Sequence, residues 1–247
     1  HLGVDQLWES LIEFPSIQFG VEMAFQSLAS DNPFLLFPSA FTNGLKSIQI
    51  NGLIWMGNEA FMKQQIETKL AEGFHCLKLK IGAINFDEEL KLLNYIRLNF
   101  TPEQVEIRVD ANGAFDITEA LNKLNQLSGF KLHSIEQPIK KNNTDSMSEL
   151  CKLSPIPIAL DEELIGVFSV TKKQELLQTI NPQYIILKPS LVGGFSGSDE
   201  WINLAEKQNI GWWITSALES NVGLNAIAQY TYTKQSIMPQ GLGTGSL

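Results

Sequence analysis

Cysteine is scarce in this chain, and no long apolar run occurs. The two cysteines, Cys76 and Cys151, form no metal-binding or disulfide pattern, which favours a reduced, cytoplasmic setting. No stretch approaches the roughly 20 apolar residues that a membrane-spanning helix needs, and no signal peptide opens the sequence. We therefore expect no membrane partner.

Basic residues are outnumbered in the chain. Lys and Arg total 18 against 27 Asp and Glu, which gives a net charge of −9. Phosphate-backbone binding needs a concentrated basic surface, and no Lys/Arg-rich run occurs, so nucleic acid is not an expected partner. The 247 residues, 44% of them hydrophobic, can bury the core of one barrel-sized domain or two smaller domains.

Short strand-like segments alternate with longer helix-like segments from residue 47 onward. Predicted strands end near Ile54, Lys80, Asp110, Glu136, Leu160, Lys188 and Ser216, with a weak eighth strand at 238–242. Predicted helices span 59–72, 86–98, 116–127, 145–153, 171–179, 199–208 and 222–232. Seven or eight strands that alternate with helices predict an α/β barrel rather than an open sheet.

The first 46 residues do not follow this alternation. Residues 16–29 have the apolar spacing of an amphipathic helix, which Asp31-Asn32-Pro33 ends. Nothing there forms a second complete domain. The predicted organisation is a connecting segment over 1–46 and a catalytic barrel over 47–247.

Charged residues close five successive predicted strands. They are, in chain order, Lys78 and Lys80, Asp110, Glu136, Asp161 and Lys188. Since residues i and i+2 of a strand share a face, Lys78 and Lys80 point the same way, as do Arg108 and Asp110. A closed ring of parallel strands would bring these ends together at its carboxyl face, where barrels carry their active sites.

Three carboxylates that converge on one point repel one another unless a cation lies among them. Two aspartates and one glutamate are hard oxygen donors with no His or Cys beside them, which suits Mg²⁺, or Mn²⁺, better than Zn²⁺. A partly desolvated lysine near such a cation has a lowered pKa and can act as a general base. The predicted chemistry is abstraction of an α-proton from a small-molecule carboxylate substrate bound to the metal.

Each motif also has an ordinary structural interpretation. The Asp-Ala-Asn-Gly sequence at 110–113 is most often a turn. Residues 78–80 resemble a solvated strand edge, and residues 161–163 the charged start of a helix. The agreement of all five strand ends favours the functional interpretation over these separate ones.

These strand-end residues together resemble the enolase superfamily, in its muconate-lactonizing subgroup. The resemblance implies a TIM-type modified (β/α)7β barrel, here without the N-terminal α+β capping domain that family members carry. Within the subgroup the chain is most similar to the o-succinylbenzoate synthases of menaquinone biosynthesis. The segments that carry this similarity are 50–54, 108–112, 191–194, 216–220 and 241–245.

The resemblance implies a dehydratase that removes water from a succinyl-hydroxy-cyclohexadiene carboxylate by syn β-elimination through an enediolate. Lys80 would take the α-proton and assist hydroxide departure. Lys188 would stabilise the enediolate from the opposite face, and Lys78 would tune Lys80 and contact the substrate carboxylate. Further substrate-binding candidates are Arg108, Asn112, Ser216, Gly243 and Thr244, and the implied metal ligands are Asp110, Glu136 and Asp161.

Two other functions stay open. An N-acylamino acid racemase or dipeptide epimerase of the same superfamily would use Lys80 and Lys188 as opposing bases. Segment 241–245, Gly-Leu-Gly-Thr-Gly, lacks the Asp-x-Asp pair usual in dipeptide epimerases. A non-catalytic barrel scaffold is the second alternative. Because no capping domain is expected to exclude water from the site, we expect residues 1–247 alone to be poorly active or inactive but still able to bind Mg²⁺.

Overall fold

The computed structural model describes residues 3–246, and within them seven strands form one sheet in the order β1 to β7. The strands are β1 Gly52–Ile54, β2 Cys76–Lys80, β3 Glu106–Asp110, β4 Ser134–Glu136, β5 Ile158–Leu160, β6 Tyr184–Leu187 and β7 Gly211–Ile214. Every neighbouring pair from β1 to β6 is parallel. The outer limits of the predicted segments, residues 1 and 247, lie outside the described residues.

Ten helices accompany these strands in the described part of the chain. They are α1 Val4–Ser10, α2 Pro15–Leu28, α3 Glu59–Ala71, α4 Phe86–Asn99, α5 Ile117–Leu127, α6 Thr144–Leu153, α7 Val170–Ile180, α8 Pro189–Val192, α9 Gly194–Lys207 and α10 Asn221–Thr233. None of them is long and apolar enough to cross a membrane. Asn58 and Asp116 cap α3 and α5, accepting the backbone N–H groups of Phe61 and Thr118 at 2.9 Å.

The chain divides into two compact units. Unit 1 contains His1–Ile50, Leu164–Glu175 and Ile186–Leu247, and unit 2 contains Asn51–Glu163 and Leu176–Ile185. In unit 2 the register pairs Leu79 with Val109 and Val109 with Ile135. These three side chains are at most 1% exposed. Burying each such side chain contributes about 1.5–3 kcal/mol, which makes this face of the strands an apolar core.

The opposite face of the same strands is polar. The register pairs Lys80 with Asp110 and Asp110 with Glu136. Side-chain contacts join Cys76 to Glu106 and Lys80 to Asp110, so the residues of equal parity share one face as predicted. The alternation therefore confirms that the strand-end charges of β2, β3 and β4 lie on the same side of the sheet.

Unit 1 holds the N-terminal helices together with the last part of the chain. Helix α2 has Phe19 as its buried aromatic residue, and the Phe19 ring meets Phe195 of α9 edge to face at 5.3 Å between centroids. Phe195 also contacts Tyr230 of α10, with ring centroids 4.9 Å apart and ring planes tilted by 36°. An aromatic cluster of this kind adds about 0.5–1.5 kcal/mol per pair beyond its buried area.

Two predicted elements differ from the structure. Helix α9 begins at Gly194, five residues before the predicted start, because the Glu22 carboxylate of α2 accepts the N–H groups of Phe195 and Ser196 at 2.5 and 3.0 Å. The weak eighth strand at 238–242 is reduced to two bridge residues. Gln240 pairs with Ile50 and Gly241 with Thr215.

Candidate active site

Two lysines from β2 meet one aspartate from β3 at the ends of these strands. Lys80 Nζ lies 2.6 Å from Asp110 Oδ2, and Lys78 Nζ lies 2.9 Å from the same oxygen. Lys78 Nζ also forms an ion pair with Glu136 Oε2 from β4. Asp110 is 0% exposed and Glu136 is 2% exposed. The arrangement is a buried row of alternating charges across three neighbouring strands.

Asn112 extends this row into the loop after β3. Its Oδ1 accepts a hydrogen bond from Lys80 Nζ at 2.7 Å, and its Nδ2 donates to Glu162 Oε1 at 3.0 Å. The backbone φ of Asn112 is +44°, a left-handed conformation that Asn tolerates better than most residues. The turn is closed by its own N–H, which donates to Asp110 Oδ1 at 3.0 Å. This geometry aims the amide at the Lys80 ammonium.

The pKa values of the buried charges follow from their neighbours. Burial alone would lower the pKa of Lys78, but the carboxylates of Asp110 and Glu136 outweigh it and hold that pKa well above its usual range. Burial alone would raise the pKa of Asp110, but Lys78 and Lys80 outweigh it and hold that pKa below its usual range. The lowered lysine pKa expected beside a metal ion therefore does not describe Lys78 in this ion-paired arrangement.

The third predicted metal ligand, Asp161, directly follows β5 and is 2% exposed. Its backbone N–H donates to Gln137 Oε1 at 3.2 Å. Among residues 3–246, no group of three His, Cys, Asp or Glu side chains stands close enough together to hold a metal ion. Asp110 and Glu136 instead converge on the Lys78 ammonium, and metal binding by the three carboxylates stays a prediction.

Arg108 lies on β3 two residues before Asp110, at 2% exposure. Its Nε donates to Glu106 Oε1 at 2.7 Å, and Cys76 Sγ contacts the same oxygen at 3.3 Å. The guanidinium is thus bonded toward the start of the strand, whereas Lys80 and Asp110 stand at its end. Substrate contact by Arg108 stays a prediction.

The remaining predicted residues belong to unit 1. Lys188 directly follows β6 and is the N-cap residue of α8, and its carbonyl accepts the N–H of Leu191 at 2.7 Å. Ser216 is 4% exposed and its hydroxyl shares a hydrogen bond with the Thr244 hydroxyl. Gly243 opens the 3-10 turn that contains Thr244. The structure therefore brings Ser216 and Thr244 together, as a shared substrate contact would require.

Sequence reasoning missed Gln137, which occupies the position after Glu136. It is 1% exposed with a backbone φ of +40°. A buried glutamine in a left-handed conformation is unusual, because only Gly, Asn and Asp adopt that region readily. The sequence signal was its adjacency to a predicted ligand, followed by the turn-forming Pro138.

The site and the parallel strands define the class of protein. A family model described as enolase C-terminal domain-like matches residues 61–242, and the chain belongs to this family. A more particular likeness is to the o-succinylbenzoate synthase of Desulfotalea psychrophila (strain LSv54), with 58% identity over 99% of this chain and 67% of that protein.

A solved structure agrees with this relationship. The crystal structure of MenC from Desulfotalea psychrophila LSv54 matches with a TM-score of 0.89 and 57% identity, over 95% of this chain and 65% of that chain. The chain thus spans about two thirds of the length of these relatives. The predicted enolase-superfamily α/β barrel and the predicted resemblance to this synthase are both confirmed.

Epimerases of the same superfamily are more distant relatives. The L-Ala-D/L-Glu epimerase of Bacillus subtilis (strain 168) is 27% identical over 71% of this chain and 48% of that protein. The difference between 58% and 27% identity favours the synthase over the epimerase as the model for this chain.

Proposed function

We propose that this chain carries the catalytic centre of an o-succinylbenzoate synthase in menaquinone biosynthesis. The reaction is the Mg²⁺-dependent removal of water from a succinyl-hydroxy-cyclohexadiene carboxylate, which makes the protein a carbon–oxygen lyase. A cytoplasmic setting fits the two cysteines, which are both free and buried. The 58% identity to a synthase supports the assignment, and the Lys80–Asp110–Lys78–Glu136 row is the structural observation that carries it.

A magnesium ion suits the side chains at the carboxyl ends of β3, β4 and β5. Asp110 and Glu136 already place carboxylate oxygens around one positive charge, the Lys78 ammonium. Carboxylates without His or Cys beside them are the donors that Mg²⁺ prefers. In this proposal Asp110, Glu136 and Asp161 would hold the ion. When bound, Mg²⁺ would withdraw electron density from a substrate carboxylate and make the neighbouring C–H more acidic.

Lys80 is the proposed general base. In its neutral form, Nζ takes the α-proton, and the electron pair of the broken C–H bond moves into the substrate carboxylate to form an enediolate. The enediolate then expels hydroxide from the β-carbon. The Lys80 ammonium returns its proton to that hydroxide, so water leaves and Lys80 is regenerated. Asn112 Oδ1, 2.7 Å from Nζ, orients the amine for both transfers.

Lys188 and Lys78 supply positive charge in this proposal. Lys188 stabilises the enediolate electrostatically, as the family resemblance implies. Lys78 carries a firmly held proton, because Asp110 and Glu136 together overcome the effect of burial on its pKa. A lysine that stays charged is suited to bind a substrate carboxylate and unsuited to remove a proton. This supports substrate binding, not proton removal, as the role of Lys78.

Turnover is measured as the loss of ultraviolet absorbance of the diene substrate with Mg²⁺ present. The assay uses the 247-residue chain, and also this chain joined to the part of the Desulfotalea psychrophila synthase that lies outside the matched region. The expected result is turnover by the joined protein and much weaker turnover by the 247-residue chain. Lys80→Ala should abolish turnover, whereas Lys152→Ala, an exposed lysine in the last turn of α6, should not change it.

Other outcomes identify the alternatives. Retained turnover in Lys80→Ala would refute the general-base assignment. Racemisation of N-acylamino acids or dipeptides without loss of the diene would replace the dehydratase by the epimerase alternative. A joined protein that binds Mg²⁺ but transforms neither substrate class would indicate a non-catalytic scaffold.

A further inference from the structure

The buried amide of Gln137 joins the loop after β4 to the loop after β5. Its Oε1 accepts the backbone N–H of Asp161 at 3.2 Å and that of Glu163 at 3.4 Å. Its Nε2 donates to the carbonyl of Ile139 at 3.0 Å and to Glu163 Oε1 at 3.4 Å. The side chain is 1% exposed, so these hydrogen bonds with protein groups satisfy both its oxygen and its nitrogen.

The backbone of Gln137 adds two further connections. Its N–H donates to the carbonyl of Ala159 on β5 at 2.9 Å, and its carbonyl accepts the N–H of Gly113 after β3 at 2.7 Å. The left-handed φ of +40° costs about 1–2 kcal/mol in a non-glycine residue, so it persists only where the surroundings demand it. Gln137 thus contacts the segments that follow all three strands bearing the predicted metal ligands.

We propose that Gln137 is a positioning residue that fixes the backbone segments carrying Asp110, Glu136 and Asp161, so that their carboxylates can bind a divalent cation. The inference rests on the metal centre of the proposed function. Gln137 follows Glu136 directly, and its side chain holds the backbone of Asp161. Rotating or removing that side chain leaves the Asp161 N–H buried without its acceptor, and the loop relaxes to regain one. The backbone segments that carry Glu136 and Asp161 then lose their fixed spacing.

A second glutamine offers a matched control at the other end of β5. Gln183 Oε1 accepts the N–H of Ile158, the first residue of β5, at 2.9 Å. Its Nε2 donates to the carbonyl of Cys151 at 3.3 Å. Both glutamines therefore hold the backbone of the same strand. Only Gln137 does so at the end where the predicted ligands stand.

The test compares Gln137→Met with Gln183→Met in the 247-residue chain. Mg²⁺ is titrated by isothermal calorimetry, and stability is measured by urea unfolding without Mg²⁺. Both variants should lose stability, because each leaves a backbone N–H of β5 or its loop unsatisfied. Mg²⁺ binding by Gln137→Met should weaken by about 10–100-fold, the usual effect of removing a group that orients a metal ligand. Mg²⁺ binding by Gln183→Met should be unchanged.

Three results would overturn the inference, and they differ in what else they refute. Unchanged Mg²⁺ affinity in Gln137→Met refutes the positioning role alone. Equal weakening in both variants shows that loss of stability, not position, governs binding. Absence of Mg²⁺ binding in the unchanged chain refutes the metal centre of the proposed function and this inference with it.

A shorter amide keeps the test decisive if Gln137→Met does not fold. Gln137→Asn retains the polar group but is one methylene too short to reach Asp161, so it should weaken Mg²⁺ binding in the same way. Hydrogen exchange of the Asp161 amide is the direct readout. The exchange rate of that amide should rise in Gln137→Asn and should not change in Gln183→Met. An unchanged exchange rate in Gln137→Asn would also overturn the inference.

Discussion

Lys78 stands between two buried carboxylates, so its removal tests the electrostatics of the whole site. In Lys78→Met the side chain keeps its length but loses its charge. Lys80 still neutralises Asp110 at 2.6 Å, and Glu136 therefore bears the loss. Glu136 is 2% exposed, and water cannot replace the missing ammonium without local opening. We expect a strongly destabilised protein that folds in the same way.

The magnitude follows from the geometry. The ion pair that is lost joins Lys78 to Glu136, and two unit charges in such contact attract by about 6 kcal/mol at an effective dielectric constant of roughly 20. The cost of dehydrating the ammonium offsets part of this attraction. Leaving a buried charge without its partner typically costs about 3–5 kcal/mol. We expect Lys78→Met to lower the free energy of unfolding by an amount within that range. Such a decrease is a large fraction of the total, which is about 5–15 kcal/mol for a typical protein.

The proposed metal centre predicts that Mg²⁺ partly reverses this loss, because an ion bound only to the folded protein would neutralise Glu136 and Asp110 in place of the ammonium. The assay is urea unfolding of wild type and Lys78→Met with and without Mg²⁺. Lys173→Met is the control. Lys173 is buried like Lys78, but the side chain of its partner Glu200 is 31% exposed and can be hydrated when the lysine is removed. The decrease in the free energy of unfolding of Lys173→Met should be smaller than that of Lys78→Met and should not depend on Mg²⁺.

The reasoning about Lys78 has a clear point of failure. A loss below about 1 kcal/mol would mean that the pair is worth no more than a surface ion pair, and that the buried charges are hydrated in solution. A Mg²⁺ response equal in Lys78→Met and Lys173→Met would mean that the ion does not bind at these carboxylates.

Two further predictions concern stability. Lys78 and Lys80 hold the pKa of Asp110 below its usual range, so this carboxylate stabilises the fold fully above its unfolded pKa of about 3.9 and loses that contribution as pH falls through the lower folded pKa. Asp110→Asn should therefore show a flatter decline in unfolding free energy between pH 5 and pH 2, measured with urea, and an equally steep decline would contradict this. Gly194→Ala should destabilise by about 1–3 kcal/mol, because φ is +73° and a Cβ would lie 2.0 Å from Glu22 Oε2. Gly129→Ala, where a Cβ meets nothing within 4 Å, is its control, and equal thermal midpoints in the two variants would refute the argument.

Much of the strand half of the site could be predicted from local pattern. The ends of β2, β3 and β4 fall on Lys80, Asp110 and Glu136 as expected, because an apolar run ends where a charge must reach solvent or a partner. Alternation of side chains along a strand then correctly placed Lys78 on the face of Lys80. The ends of the apolar runs and the alternation of side chains along a strand were enough for these predictions.

The interactions that could not be predicted join residues far apart in the chain. Glu22, which precedes Phe195 by 173 residues in the sequence, caps α9. With this cap the helix begins five residues before its predicted start. The backbone of Gln137, with its left-handed φ, is bonded to Ala159 on β5 and to Gly113 in the segment after β3. No pattern within a short window contains these partners, so neither the helix start nor the role of the glutamine was visible before the chain was folded.

The amino-acid sequence by itself determined which residues could carry the chemistry and at which strand ends they stand, because periodicity and residue type act locally. Only the tertiary structure decided how the charges are shared. In the folded chain Lys78 forms ion pairs with Asp110 and Glu136. Lys80 donates hydrogen bonds to Asp110 and Asn112. The Asp161 N–H donates to the Gln137 side chain. The physical reason is distance: the energies of ion pairs and hydrogen bonds depend on separations of a few ångströms, and these are defined only when the strands are packed side by side.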